Sequence, residues 1–145
     1  MESVFVTLLK LLHIKYTMRF VNRICSEDPN KNDLSGLSRF LDIYKIDNVG
    51  VYISDVESLK SLPLPLVVHL RENKAIVVVG LYDDYVVSSE GNTEKKIQID
   101  DLVHKWTGNV LVMEKSDRSI EPNYRVHLFE TIAIRVKNIA LVLSI

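Results

Sequence analysis

The chain is poor in the residues from which most specialised sites are built. It has a single cysteine, Cys25, in 145 residues, so there is no internal disulfide and no cysteine-rich metal site. Eighteen Lys and Arg against nineteen Asp and Glu leave a net charge of −1, and no dense basic run occurs. No basic field is therefore offered to nucleic acid. The glycines Gly36, Gly50, Gly80, Gly91 and Gly108 stand apart from one another, which excludes a glycine-rich phosphate loop. His13, His69, His104 and His127 are scattered without the paired spacing of metal ligands, so no metal and no cofactor are expected. Glu2 and Lys10 interrupt the apolar N-terminal stretch, and no small-residue cleavage site follows, which argues against a secretory signal. Internal repeats and low-complexity segments are absent too.

What is present is a folded domain of ordinary size: 47% of residues are hydrophobic and 26% charged. Its organising stretch is Leu62 to Ser89. Leu64–Leu70, Ala75–Leu81 and Tyr85–Val87 are short runs, mostly β-branched, separated by Arg71-Glu72-Asn73 and Asp83-Asp84. They predict three consecutive antiparallel strands. The middle run, Ala-Ile-Val-Val-Val-Gly, does not alternate, so both its faces are covered and it is central. Pro63 and Pro65 fit only at the start of the first strand, where a missing N–H does no harm.

Upstream the pattern is helical. Val4, Leu8, Leu11 and Leu12 form one stripe, with Phe5 and Leu9 beside it. Thr17 is placed to cap a second helix with Phe20, Val21 and Ile24 inward. Asp33 is placed to cap a third, with Leu34, Leu37, Phe40 and Leu41 inward. Val49, Val51 and Ile53 then alternate as a half-buried strand. Downstream, Glu90–Thr93 is a hairpin turn and Lys95–Ile99 a strand. Asp100 is placed to cap a short helix carrying Leu102, Val103 and Trp106, and Val110–Met113 is a last strand. Lys115–Asn123 has the composition of a linker. The helical stretch from Tyr124 grows steadily more apolar, and Ser144 is the one polar residue in the last seven. It reads either as an amphipathic helix on the domain or as one approaching a membrane, although a spanning helix needs roughly 20 apolar residues. The division is thus 1–115 domain, 116–123 linker, and 124–145 helix leading to a membrane after Ile145, with Arg135 and Lys137 on the cytoplasmic flank.

The order of elements is that of an α+β, papain-like domain. Leu34-Ser35-Gly36-Leu37, Leu62-Pro63-Leu64-Pro65 leading into Val67-Val68-His69, Val77-Val78-Val79-Gly80, Ile99–Leu102 and Trp106-Thr107-Gly108 occur in a fairly specific joint order. From Ser3 to Glu114 the chain resembles the cysteine-peptidase domains that precede bacteriocin ABC exporters and cut leader peptides after a double glycine. The tail from Glu121-Pro122-Asn123-Tyr124 is also similar to membrane proteins that fuse this domain to a vitamin K epoxide reductase-like redox module.

The resemblance implies a cysteine at the start of the first helix, a histidine opening the central strand and an aspartate ending the next. Aligned on Leu9-Lys10-Leu11-Leu12, the nucleophile falls just before Met1, the histidine position is Lys74, and the aspartate position is Ser88 or Ser89. An amide-cleaving thiol needs a base, and that base an orienting partner. The expectation is therefore a catalytically inactive peptidase-like domain on the cytoplasmic side of a bacterial inner membrane, with no catalytic residues. It would bind a polypeptide, a leader-like peptide or a neighbouring domain of its parent transporter or redox protein. Lys74, Ser88 and Ser89 would form a cationic, hydroxyl-rich groove floor, unless Lys74 merely solvates the start of its strand. His69 matches a family histidine that is not the base, and with Trp106 reads as structural or cleft-lining. Cys25 reads as a small buried residue. One rival is an active thiol peptidase in which Cys25 works with His69 or His104. The other is a structural spacer.

Overall fold

The computed structural model describes residues 1–135. The α+β order expected is present: α1 (Glu2–Leu11), α2 (Met18–Glu27) and α3 (Leu34–Ile43), then β1 (Asp47–Tyr52) and a 3₁₀ turn (Glu57–Ser61). The strands β2 (Leu66–Leu70), β3 (Lys74–Leu81), β4 (Tyr85–Glu90) and β5 (Thr93–Gln98) follow. The chain continues through α4 (Ile99–Lys105) and β6 (Trp106–Glu114) to α5 (Tyr124–Arg135). All pairings are antiparallel in one six-stranded sheet of order β1-β6-β2-β3-β4-β5.

The sheet separates two cores, and this is why its middle strands do not alternate in sequence. On one face Phe5, Leu8 and Leu9 of α1 and Leu37, Phe40 and Leu41 of α3 pack over Val67, Val77 and Leu111. On the other, Leu59, Leu66, Val68, Val78, Val86, Leu102 and Val110 form a second cluster. Val77 and Val78 are neighbours that face opposite cores, and both are buried. Val79 is only half-buried, at a register shift between β3 and β4.

Local signals set the ends of the elements. Thr17 caps α2, its hydroxyl accepting from Phe20 N–H at 3.4 Å. Gly91 sits in the β4–β5 turn at φ +61°, a region glycine enters without steric cost. Several expectations are corrected. The inward face of α1 is Phe5, Leu8 and Leu9, with Val4, Leu11 and Leu12 at its margin, because the helix lies over β3 as well as against α3. Asp33 occupies the cap position of α3, but its carboxylate accepts from Asn73 Nδ2 instead of a helix N–H. Gln98 precedes α4, Asp100 lies in its first turn, and Trp106 opens β6. Val49 is 54% exposed because β1 is the outermost strand.

The segment after β6 lies back on the helices: Ile120 N–H donates to Tyr44 O at 3.1 Å and Glu121 N–H to Lys15 O at 3.2 Å. Among the described residues no helix is long and apolar enough to cross a membrane. The expectation for the final apolar stretch, 136–145, lies outside the described residues.

Val78 tests the two-faced burial directly. Val78→Asp is expected to cost on the order of 4 kcal/mol by burying an unpaired carboxylate, a large share of a typical domain's stability. The cooperative thermal transition followed by circular dichroism should be lost or strongly lowered. Val49→Asp, on the exposed edge, should leave the melting temperature nearly unchanged.

Candidate binding cleft

The first turn of α1 lies over the start of β3 and the end of β4, and a cavity of about 120 Å³ separates them. Its wall includes Ser3, Val4 and Thr7 from the helix and Ala75, Val77 and Ser89 from the strands. Thr7 ties the helix to the β4–β5 turn: its hydroxyl donates to Ser3 O at 2.8 Å and accepts from Gly91 N–H at 3.2 Å. Sharing Ser3, Thr7 and Glu90 with this cavity, a wider groove of about 500 Å³ continues past Val6 and Met18, with Glu2 and Glu90 on its rim. The two together make a cleft, apolar along much of its length, that is open to solvent at one end.

Strand alternation decides which expected residues reach it. Ala75 and Val77 pack on the helical side of the sheet, whereas Ile76 and Val78 face the second core. Lys74 therefore points with Ile76, away from α1. Its ammonium is exposed, 3.7 Å from Glu72. Ser89 pairs with Val77 and faces the helix. Ser88 shares the opposite face with Val86 and donates to Lys95 O at 3.4 Å. Ser88 and Ser89 both border the cavity, Ser89 from the helical face of the sheet, whereas Lys74 does not, and Ala75 stands where an ammonium was expected. The cleft floor is hydroxyl-lined but carries no cation.

His69 and Trp106 lie elsewhere. His69 is on β2 opposite Ala75, with Nδ1 2.9 Å from Thr107 Oγ1 and Nε2 3.1 Å from Asn73 Oδ1. Asn73 in turn donates to Asp33, so His69 joins β2 and β6 to the start of α3. Trp106 packs against the second core, its indole N–H donating to Asn109 O at 3.2 Å. Cys25 is buried in α2 at 3% exposure, and burial, reinforced by the Glu2 charge, pushes its thiol up to about 11. At neutral pH it is a protonated core residue.

The polar residue that the sequence reading passed over is Glu121, 1% exposed within the stretch of linker-like composition. Its carboxylate accepts from Thr17 N–H at 2.8 Å, Thr17 Oγ1 at 2.9 Å, Tyr44 OH at 2.6 Å and His127 Nδ1 at 3.0 Å. Burial, and then this bond, raise the Tyr44 phenol above its ordinary range. His127 stacks on Phe20 with ring centroids 4.7 Å apart, which completes the attachment of α5 to α2. A lone Glu-Pro-Asn in a polar segment carries no local signal for this role.

The model of the peptidase C39 family matches residues 4–118. Three solved structures are each similar over 79% of this chain. One is a double glycine motif protease from an AMS/PCAT transporter, in complex with the leader peptide, at 18% identity and TM-score 0.67 over 83% of that chain. Another is the N-terminal peptidase C39 like domain of the toxin secretion ATP-binding protein from Vibrio parahaemolyticus, at 14% identity and TM-score 0.67 over 95% of that chain. The third is the peptidase domain of Streptococcus ComA, a bi-functional ABC transporter of a quorum sensing pathway, at 13% identity and TM-score 0.66 over 90% of that chain. At these identities the likeness is one of fold: helices packed on an antiparallel sheet, the papain-like arrangement. A search of the curated proteins finds no match.

Two outcomes follow from the geometry around Cys25 and Glu121. At pH 8 iodoacetamide should alkylate native Cys25 on the order of 100-fold more slowly than the denatured chain, because so little thiolate is present. Equal rates would contradict its burial. Glu121→Ala should cost about 3 kcal/mol by leaving the Tyr44, Thr17 and His127 donors unpaired, read as a lowered urea midpoint.

Proposed function

The chain belongs to the peptidase C39 family, and we propose that it is a peptidase-like domain that holds polypeptide in the cleft beside α1 without hydrolysing it. The observation that carries this reading is the chemistry of the cleft wall. Thiol proteolysis requires a thiolate, a base and a group that orients the base within hydrogen-bond reach. The wall offers Ser3, Thr7, Ser88, Ser89 and the carboxylate of Glu90, with neither imidazole nor thiol among its described residues. The Thr7 and Ser88 hydroxyls donate to the backbone carbonyls of Ser3 and Lys95 and not to Glu90. Hydroxyls without a base in contact are weak nucleophiles, and the thiol of Cys25 is closed inside the helical core.

Binding makes fewer demands. An extended peptide beside a sheet gains affinity from backbone hydrogen bonds and specificity from side-chain pockets, and neither depends on a catalytic triad. The relative solved with its leader peptide supports polypeptide as the ligand class. The occupant is a leader-like peptide or a segment of a neighbouring domain in the same parent protein.

The setting proposed is the cytoplasmic side of a bacterial inner membrane, in an ABC transporter or a vitamin K epoxide reductase-like membrane protein. Residues 1–115 form the domain body, 116–123 connect, and the helix that begins at Tyr124 faces the membrane side. The Glu121 cluster fixes where that helix departs, because it holds the first turns of α5 against α2.

The test uses a fluorescently labelled double-glycine leader peptide, with anisotropy for binding and mass spectrometry for cleavage. The peptide should bind and stay intact, and Ala75→Leu, which fills the cavity, should weaken binding several-fold. Cleavage that vanishes in Cys25→Ala overturns the proposal in favour of an active thiol peptidase. Absence of both binding and cleavage at millimolar peptide overturns it in favour of a structural spacer.

A further inference from the structure

The two edges of the sheet are built differently. The outer edge of β5 is guarded by Glu94, Lys95 and Lys96, all exposed, in the manner by which natural sheets discourage strand addition. At the other edge β1 carries Asp47 as its only charge, and Val49 and Tyr52 are 54% and 72% exposed. Ile53 N–H bonds inward to Gly108 O at 2.8 Å. The β1–β6 register then turns the backbone of Val51 and Val49 inward and that of Asn48, Gly50 and Tyr52 outward. Nothing in the sheet pairs with that outward side of β1, and a Cβ built on Gly50 meets nothing within 4 Å, so the face beside it is open too.

Beside the edge, on the face away from the helices, lies a groove of about 320 Å³. Val49, Val112 and Pro63 make its apolar surface, and Asp47 and Glu114 stand at one end. Those two carboxylates are directly opposite each other in the register. Like charges so placed repel, and among the described residues no Lys, Arg or His lies within 4.0 Å of either. The pair is left to be neutralised from outside.

We propose that the β1 edge is a strand-addition site for an extended segment of another polypeptide that places an apolar side chain in the Val49–Val112–Pro63 groove and a Lys or Arg at the Asp47–Glu114 pair. Asp47 and Val49 are two positions apart on one face, so the incoming apolar and basic residues must also be two apart. Charge complementarity selects a foreign segment over the β1 edge of a second copy, since β1 is DNVGVY and would bring another Asp47 and no cation. In β5, TEKKIQ, the apolar residue two from Lys95 is Ile97, which already packs on the second core. The site is remote in the sheet order from the cleft beside β3 and β4 and does not rest on the cleft proposal.

The probe is a blocked eight-residue peptide of alternating valine and threonine with a lysine two residues from the central valine. Its partner probe carries glutamate in place of that lysine. Both are titrated into the ¹⁵N-labelled full chain. The lysine peptide should shift the Gly50 and Tyr52 amides and slow hydrogen exchange at Gly50. Affinity should fall at least tenfold for the glutamate peptide, and for the lysine peptide with the exposed-edge variants Asp47→Lys and Val49→Lys. Three results would overturn the proposal: no response at millimolar peptide, equal response to both peptides, or Gly50 shifts that depend on protein concentration without peptide, which would make a second copy the occupant.

Discussion

At its centre, strand β3 has no face in water. Val77 packs beneath α1 and α3 while its neighbour Val78 closes the opposite core, so a slip of one residue would send each into the wrong layer. That constraint fixes the register of β3 and, through the Val77↔Ser89 pairing, the facing of β4. The helical layer depends on it as well, since Phe5, Leu8 and Leu9 of α1 share one core with Val67, Val77 and Leu111 of the sheet. The position of the cleft is a consequence: it lies where the first turn of α1 runs past the start of β3.

The same alternation determines the chemistry of the cleft. Had Lys74 faced the helix, an ammonium would stand in the wall and favour acidic ligands. With Ala75 there instead, the wall is small and hydroxyl-bearing, and its charges are carboxylates, Glu90 in the cavity and Glu2 in the adjoining groove. Such a wall suits a polypeptide main chain, whose groups are neutral donors and acceptors, better than it suits the deprotonation of a nucleophile. The fold of the peptidase C39 family thus occurs here with a cavity wall that has neither imidazole nor thiol among its described residues.

Much of this was legible from residues alone. The β-branched runs between Leu64 and Val87 identified β2, β3 and β4, Thr17 marked the cap of α2, and the family resemblance read from Ser3 to Glu114 agrees with the match over residues 4–118. What escaped was whatever a local pattern does not encode. A run without alternation does not say which of Lys74 and Ala75 faces the helix, because both faces of the strand are apolar. Val49 looked half-buried from its neighbours, but its exposure depends on β6 lying on one side of β1 and nothing on the other. Glu121 was unreadable for a different reason: its partners Thr17 and Tyr44 are 104 and 77 positions away. Asp33 was placed at the right position for a cap, yet its carboxylate serves Asn73 across 40 positions.

The most direct measurement follows thiol reactivity along β3 and β4 in a Cys25→Ala background. Single cysteines are placed in turn at Lys74, Ala75 and Ser89, and their alkylation rates compared with and without a saturating double-glycine leader peptide. If the helical face of these strands holds the peptide, it should slow labelling at 75 and 89 at least several-fold, leave 74 unchanged, and be recovered uncleaved. Protection at 74 with none at 75 and 89, or a peptide recovered cut, would contradict the account.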